Sequence, residues 1–344
     1  MFEESDRQGE GGSGEAPLFS PTGPILDSGW YCSFVLTMVY RRVVGVLHGD
    51  ESERVMIEQT GFPQRVERLV FSSDGRFLAF AGHMGTVNLW NLEDRSLKQW
   101  EAVRSGGTDI TTVAFLDGDR QLLIASRNRL QQLELETGEP RDLVTKSRIP
   151  ATLVHAEGDR VFTTSPNVIR CHRISAWKEL WSAAMSFGEY TLMAYQPRSD
   201  RIFVCGSGHP IEIRHAGDGE LVQRIHTRQH PVYRIRFSHD ERFCVLCLTT
   251  ECVVLDGTTF KPITTLKTPQ GKYFTDCEFH PMSPLFATTA NDGAVRLWDT
   301  ENWTERIAYT WEIGAMRSVA FAPDGMRIAA GTGDGRVIVW DVDW

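Results

Sequence analysis

The chain has 344 residues, a formal net charge of −9 and 41% apolar residues. This composition is typical of a globular protein with enough apolar side chains for a sizeable core. The acidic balance argues against a nucleic-acid partner, because Lys and Arg supply the attraction to phosphate. Seven cysteines without paired spacing indicate reduced, buried thiols, and we expect a cytoplasmic protein.

The amino-terminal part differs from the rest in composition. Residues 1–29 are rich in Gly, Glu, Ser and Pro, and we expect a disordered tail there. Residues 30–52 form an extension in which YRRVVGVL, residues 40–47, is either an extra strand or a segment packed under the following domain, and Met38 is an alternative start of the chain. The apolar run that begins at Trp30 ends at Arg41, well short of the roughly twenty residues of a membrane span, so we expect no membrane partner.

A strand-like stretch recurs seven times after these residues, each time with alternating apolar and polar side chains. Its copies end at Phe71, Phe115, His155, Tyr195, Phe237, Phe279 and Phe321, which are 40 to 44 residues apart. Each copy is followed by turn residues, such as SSDG or APDG, and then by a second and a third strand-like stretch, and the first six units add a less regular fourth. A fixed period of about 40 residues is typical of a repeat architecture.

Seven units of three or four short strands, with no pattern for a long helix, predict an all-β fold over residues 53–344. We expect a seven-bladed β-propeller of four-stranded antiparallel sheets. The seventh unit lacks a fourth strand, whereas ERVMIEQ, residues 53–59, is a strand-like stretch that belongs to no unit. The N-terminal strand is therefore expected to close the last blade and to tie the two ends of the ring together.

The turn and third strand of two units carry a Trp-Asp pair, in NDGAVRLWDT at 291–300 and GDGRVIVWDV at 333–342, with a weaker copy, HMGTVNLWNL, at 83–92. With these motifs the chain resembles the WD-repeat β-propeller family. The family combines the Trp with a hydroxyl on the second strand and an Asp in the turn, which together form a buried polar network. The resemblance implies such structural roles for Thr288, Asp292, Trp298, Asp334, Trp340 and Trp90, while Leu133, Cys171 and Arg214 stand at the Trp position of units two to four.

The resemblance also implies a function. Proteins of this family bind a protein or peptide partner around the residues that enter the first strand of each blade. Arg and Tyr are the foremost candidates among these, because they are common at binding hot spots. The corresponding partner-binding residues here are Arg65, Glu67, Asp109, Thr111, Glu189, Thr191, Tyr233, Tyr273, Thr275 and Arg317.

The motifs that would indicate catalysis or a cofactor are weak. Cys244 and Cys247 form a CxxC, but within a strand residues three apart point to opposite faces. The Gly-rich stretches GSGHP and GTGDG lack the Lys-Ser/Thr of a phosphate-binding loop. We therefore expect a non-catalytic interaction scaffold without cofactor or metal, a monomeric propeller within a larger complex. The alternative is a small-molecule-binding or hydrolytic propeller with a site at the central channel.

Overall fold

The computed structural model describes residues 56–60, 62, 65–82, 85–101, 109–145, 148–149, 151–155, 159–186, 192–206, 208–226 and 231–342. The predicted tail at 1–29 and extension at 30–52 lie outside the described residues. The regular elements of the described ranges are 28 β-strands, which form seven antiparallel sheets of four strands each. The prediction of a seven-bladed propeller is confirmed.

The blades follow one another along the chain, and each begins with its innermost strand. Blade one contains β2 (Val66–Phe71), β3 (Phe77–Gly82), β4 (Thr86–Asn91) and β5 (Leu97–Glu101), and blade two contains β6 (Ile110–Leu116), β7 (Gln121–Ser126), β8 (Arg129–Glu134) and β9 (Pro140–Thr145). Blade three contains β10 (Thr152–His155), β11 (Arg160–Ser165), β12 (Val168–Arg173) and β13 (Lys178–Ala184), and blade four contains β14 (Leu192–Gln196), β15 (Arg201–Cys205), β16 (Ile211–His215) and β17 (Leu221–Ile225). Blade five contains β18 (Arg234–Phe237), β19 (Phe243–Cys247), β20 (Glu251–Asp256) and β21 (Pro262–Lys267). Blade six contains β22 (Phe274–Phe279), β23 (Leu285–Ala290), β24 (Ala294–Asp299) and β25 (Thr304–Thr310), and blade seven contains β26 (Met316–Phe321), β27 (Arg327–Thr332), β28 (Val337–Asp341) and β1 (Met56–Gln59).

The ring closes at blade seven, where the amino-terminal strand takes the outermost place. Strand β1 pairs antiparallel with β28, with Ile57 opposite Val339 and Gln59 opposite Val337. The predicted closure by an N-terminal strand is therefore confirmed. The innermost strands contact one another around the axis, and β2 contacts both β6 and β26. Among the described residues, the first strands therefore surround the central channel.

The core is divided into seven clusters of buried side chains, one between each pair of neighbouring blades. Alternation along a strand divides its side chains between two clusters, because successive residues point to opposite faces. On β27, Ile328 and Ala330 pack toward blade six, whereas Ala329 packs toward blade one. The same geometry separates Cys244 from Cys247, which lie in the clusters on opposite sides of blade five.

The Trp residues of the repeat are anchored in different ways. The indole Nε1–H of Trp298 donates to Thr288 Oγ1 at 2.9 Å, while Asp292 pairs with Arg296 at 2.5 Å instead of joining that bond. Trp90 and Trp340 are each 1% exposed, and their Nε1 atoms have no hydrogen-bond partner among the described atoms. These two residues are held by packing alone, and blade six is the one in which the expected hydroxyl contributes.

Blade four uses a different anchor at the Trp position. Arg214 pairs with Glu212 at 2.6 Å and donates to the carbonyl oxygens of Gly219 and Ala184 at 2.8 and 2.6 Å. Glu212 is 1% exposed and also accepts from Ser186 at 3.0 Å and Arg224 at 3.1 Å. Because these oxygens and guanidinium nitrogens satisfy one another, the pair can be buried where other blades bury an indole.

The expectation that all thiols are reduced is wrong for one pair. Cys247 and Cys252 lie opposite each other on β19 and β20, with Cα atoms 4.3 Å apart, and form a disulfide. A separation of five residues in the sequence does not by itself indicate a disulfide. The hairpin register that places the two cysteines opposite each other is also needed. Burial raises the pKa of the Cys171 and Cys205 thiols to about 11, which makes them unreactive core residues.

The bond between Trp298 and Thr288 can be tested by a double-mutant cycle. Thr288→Val should lower the free energy of unfolding by about 2 kcal/mol, because it leaves a buried indole N–H without an acceptor. In a Trp298→Phe background the same substitution should change stability little, since no N–H is left unpaired. Urea unfolding of the four proteins measures both steps. Equal losses in the two backgrounds would show that the bond does not contribute.

Candidate functional site

Two adjoining cavities lie where the chain enters the innermost strands, at one end of the central channel. One, of about 400 Å³, is lined by Glu67, Tyr233, Arg234, Thr249, Tyr273, Phe274, Thr275 and Arg317. The other, of about 530 Å³, is lined by Arg68, Thr111, Thr112, Arg127, Arg148, Ala151, Thr152, Leu192, Met193, Pro231, Val232, Tyr233 and Arg234. Together they involve all seven blades and share Tyr233 and Arg234. We call these lining residues the channel mouth.

A β-bulge recurs at the same place in four blades and selects the side chains that face the mouth. In blades one, two, six and seven the register between the first two strands shifts by one residue near the start of the innermost strand. The extra residue in each case is Glu67, Thr111, Thr275 or Arg317. A bulge leaves its extra residue outside the regular ladder and redirects its side chain. All four are among the residues predicted to bind a partner, and all four line the mouth.

Two tyrosines are the exposed aromatic side chains of the mouth. Tyr233 is 49% exposed and Tyr273 is 36% exposed. The backbone of Tyr273 is held on both sides by Asn291, which accepts from Tyr273 N–H at 2.8 Å and donates its own N–H to Tyr273 O at 3.1 Å. Tyr233 N–H donates to Cys247 O at 2.8 Å, next to the disulfide. The NDG turn of the repeat thus fixes the backbone from which Tyr273 projects.

The remaining predicted residues are placed less uniformly. Arg65 is exposed and lines a separate pocket of about 20 Å³ beside Phe62 and Gln99. Asp109 lies 4.0 Å from Arg127, a residue of the mouth. Glu189 and Thr191 lie outside the described residues. The structure therefore brings Glu67, Thr111, Tyr233, Tyr273, Thr275 and Arg317 together around the mouth and sets Arg65 apart.

Five charged side chains on the innermost strands line the channel below the tyrosines, and sequence analysis did not select them. Arg234 pairs with Asp276 at 2.8 Å, and Arg236 pairs with Glu278 at 3.0 Å and with Asp276 at 3.6 Å. Arg68 donates to the carbonyl oxygens of Thr111 and Glu67, both at 2.7 Å. The available signal was a charge at alternate positions of an otherwise apolar first strand, as in YRIRF and FTDCEF.

The comparisons with known proteins agree with the propeller fold. The family described as "WD domain, G-beta repeat" matches residues 260–299 and 311–341, which cover the outermost strand of blade five, the first three strands of blade six and strands β26 to β28 of blade seven. The chain is a seven-bladed β-propeller whose last two blades carry WD repeats. An uncharacterized WD repeat-containing protein of Schizosaccharomyces pombe is 23% identical over 41% of this chain and 35% of its own length. Coronin-7 of Rattus norvegicus is 34% identical over 18% of this chain and 7% of its own length. The matches thus span about a third or less of these relatives.

Propellers of this family typically serve as protein-interaction scaffolds and are generally non-catalytic. Within the described ranges of this propeller, no group of three or more His, Cys, Asp or Glu side chains could hold a metal ion. Helices long and apolar enough to cross a membrane are likewise not found in the part of the chain that the structure describes.

The channel charges of the propeller shift one another's pKa. Burial by itself would raise the pKa of Asp276, but Arg234, Arg236 and Arg68 outweigh it and hold that pKa below its ordinary value of 3.8. Burial raises the pKa of Glu278 despite the nearby Arg236. Burial and the charge of Arg234 lower the pKa of Arg68 to about 10. Asp276 is therefore the carboxylate that the surrounding guanidiniums stabilise most clearly.

Asp276→Asn should lower the free energy of unfolding by about 3 kcal/mol, because it leaves the partly buried guanidinium of Arg234 without its counter-charge. The loss should be complete above pH 3.8 and should shrink as the pH falls through the lower pKa that Asp276 has in the folded state, where the wild-type carboxylate is protonated too. Urea unfolding of both proteins across this pH range provides the measurement.

The matched control is Glu93→Gln, which removes an exposed carboxylate 3.2 Å from Arg76 and should cost less than about 1 kcal/mol. A loss from Asp276→Asn no larger than that of this control would contradict the assigned role of Asp276.

Proposed function

We propose that this propeller is a non-catalytic interaction module that binds an extended segment of a protein partner at its channel mouth. The observation that carries the proposal is the convergence of Glu67, Tyr233, Tyr273, Thr275 and Arg317, from four different blades, on one cavity of about 400 Å³. Side chains on a rigid ring of sheets are held in place before a ligand arrives, which lowers the entropic cost of binding. The fold family supports the same reading, since it generally binds proteins.

The composition of the mouth favours a peptide over a small metabolite. Its exposed residues include Tyr233, Tyr273, Arg127 and Arg148, and tyrosine and arginine are common at protein-binding hot spots. The two cavities adjoin across the whole opening of the channel, with room for several side chains of an extended chain. We therefore assign Tyr233 and Tyr273 as the anchors against which an apolar part of the partner packs.

The alternative is a hydrolytic or small-molecule site in the channel, which would use the carboxylates of Asp276 and Glu278. Both are engaged with arginines: Asp276 Oδ1 accepts from Arg234, and Glu278 Oε2 accepts from Arg236. Asp276 Oδ2 also accepts from Val319 N–H at 3.4 Å. Carboxylates held in this way are poorly placed to activate water, so we favour the interaction module.

We also propose the cytoplasm as the compartment in which the module acts, within a larger complex. The four free cysteines of the described ranges are all buried, as expected for small apolar side chains of a core. The disulfide of Cys247 and Cys252 argues for an oxidising compartment instead, because disulfides are rare in cytosolic proteins. Fractionation of cells, with the oxidation state of these two cysteines measured by alkylation, would distinguish the two compartments.

The test of the binding site is a pair of double variants of the full chain. Tyr233→Ser with Tyr273→Ser should reduce partner binding more than tenfold, because hot-spot aromatic residues each contribute about 2 kcal/mol or more. Affinity purification from the source organism, with quantitative mass spectrometry, identifies the partners and measures the loss.

The matched control is Met282→Ser with Met326→Ser. These side chains are 70% and 56% exposed and lie in the turns after the first strands of blades six and seven, at the other end of the channel. The control should keep the partners that the tyrosine variant loses. Equal recovery of partners by the two variants, with unchanged circular dichroism, would remove the channel mouth as the binding site.

A further inference from the structure

The charge of the channel mouth differs from that of the whole protein. The chain carries a net charge of −9. The larger cavity is nevertheless lined by four arginines, Arg68, Arg127, Arg148 and Arg234, and no carboxylate is present among the described residues that line it. The smaller cavity adds Arg317 and one carboxylate, Glu67. The mouth is thus a cationic area on an acidic molecule.

Among the described residues, Arg68 and Arg317 form no ion pair with a carboxylate, whereas the other arginines of the mouth have partners within the protein. Asp276 is the close partner of Arg234, and Asp109 lies 4.0 Å from Arg127. Arg68 donates to two backbone carbonyl groups, and Arg317 Nε is buried with no hydrogen-bond partner among the described atoms. The pKa of Arg68 is lowered to about 10 because the site is buried and because Arg234 repels a second positive charge. An added anion would relieve this repulsion and supply acceptors.

We propose that the segment bound at the channel mouth is an acidic peptide, whose carboxylates pair with Arg68, Arg127, Arg148 and Arg317 while an aromatic or apolar side chain packs between Tyr233 and Tyr273. This inference rests on the proposed function and specifies the partner class. Arginine is suited to this role because its planar guanidinium binds a carboxylate through two parallel hydrogen bonds.

A peptide fits the mouth better than the other anions that arginines bind. A nucleic acid carries a long row of phosphates and needs an extended basic surface, whereas here the cationic side chains surround one opening on an acidic chain. A single small anion would occupy a small part of cavities of about 400 and 530 Å³ and would leave both tyrosines unused. An extended acidic segment uses the arginines and the tyrosines together.

The direct test measures fluorescence anisotropy of two labelled peptides with the full chain. One peptide is a run of glutamates with a central tyrosine, and the other has glutamine in place of each glutamate. The glutamate peptide should bind at least about tenfold more tightly, and its affinity should fall as salt is added. A labelled oligothymidine of equal length, measured in parallel, should bind more weakly than the glutamate peptide.

The variants separate the mouth from general electrostatic attraction. Arg127→Glu with Arg148→Glu places two acidic groups at exposed positions of the mouth and should weaken the glutamate peptide by about tenfold or more. Arg306→Glu, on the exposed outer strand β25, makes the same kind of change away from the mouth and should leave the affinity within about twofold.

Equal affinities for the two peptides, tighter binding of oligothymidine, or equal effects of the mouth and control variants would each overturn the proposal. These outcomes are separable from failure of the proposed function. If Tyr233→Ser with Tyr273→Ser loses its partners while the two peptides bind alike, the mouth is a docking site and its acidic specificity is wrong.

Discussion

The structure depends on closing a circle. Every blade has two apolar faces, so an open row of seven sheets would leave two faces exposed to water, which the hydrophobic effect opposes. The last interface is formed between the beginning and the end of the described chain: β1 pairs with β28, Ile57 packs against the cluster between blades seven and one, and Ser318 Oγ donates to Val66 O at 2.7 Å across 252 residues. These contacts are therefore required for all the others, because each blade is held only by its two neighbours.

The two ends of the channel differ in how their polar side chains are used. At the end opposite the mouth, the turns after the first strands bond from blade to blade: Ser73 to Asp119, His280 to Gly325 O at 2.9 Å and Arg327 to Gly75 O at 2.8 Å. Many polar groups there are thus committed to holding the ring. At the mouth, bulges direct Glu67, Thr275 and Arg317 into a cavity instead. Hydrogen bonds between blades thus stabilise the propeller at one end of the channel, whereas side chains line an open cavity at the other end.

The sequence predicted most of the architecture because each blade repeats one alternation of apolar and polar residues, and alternation is a local property. It also selected six of the residues that line the mouth, since residues entering equivalent strands must surround the axis. It did not select Arg68, Arg234 or Asp276, because their importance arises from contact between blades more than 40 residues apart in the chain. Nor did it predict the disulfide of Cys247 and Cys252, which depends on hairpin register, or the separate pocket of Arg65. Local alternation of apolar and polar residues does not predict which residues pair across a sheet or across the channel axis.

Divergence among the repeats has a functional consequence. Seven identical units would give a mouth with sevenfold symmetry, in which no position differs from its neighbour and an asymmetric ligand has seven equivalent ways to bind. Here blades one, two, six and seven carry the bulge, while the described pairings of β10 with β11, β14 with β15 and β18 with β19 run without a register shift. The exposed tyrosines belong to adjacent blades five and six, and the arginines of the larger cavity to blades one, two, three and five. Blade four, where Arg214 and Glu212 replace the indole anchor, shows that the core tolerates such divergence when buried polar groups are paired. Differences among the repeats can therefore preserve the propeller fold. They also make the channel mouth asymmetric, so that a partner can bind it in one orientation.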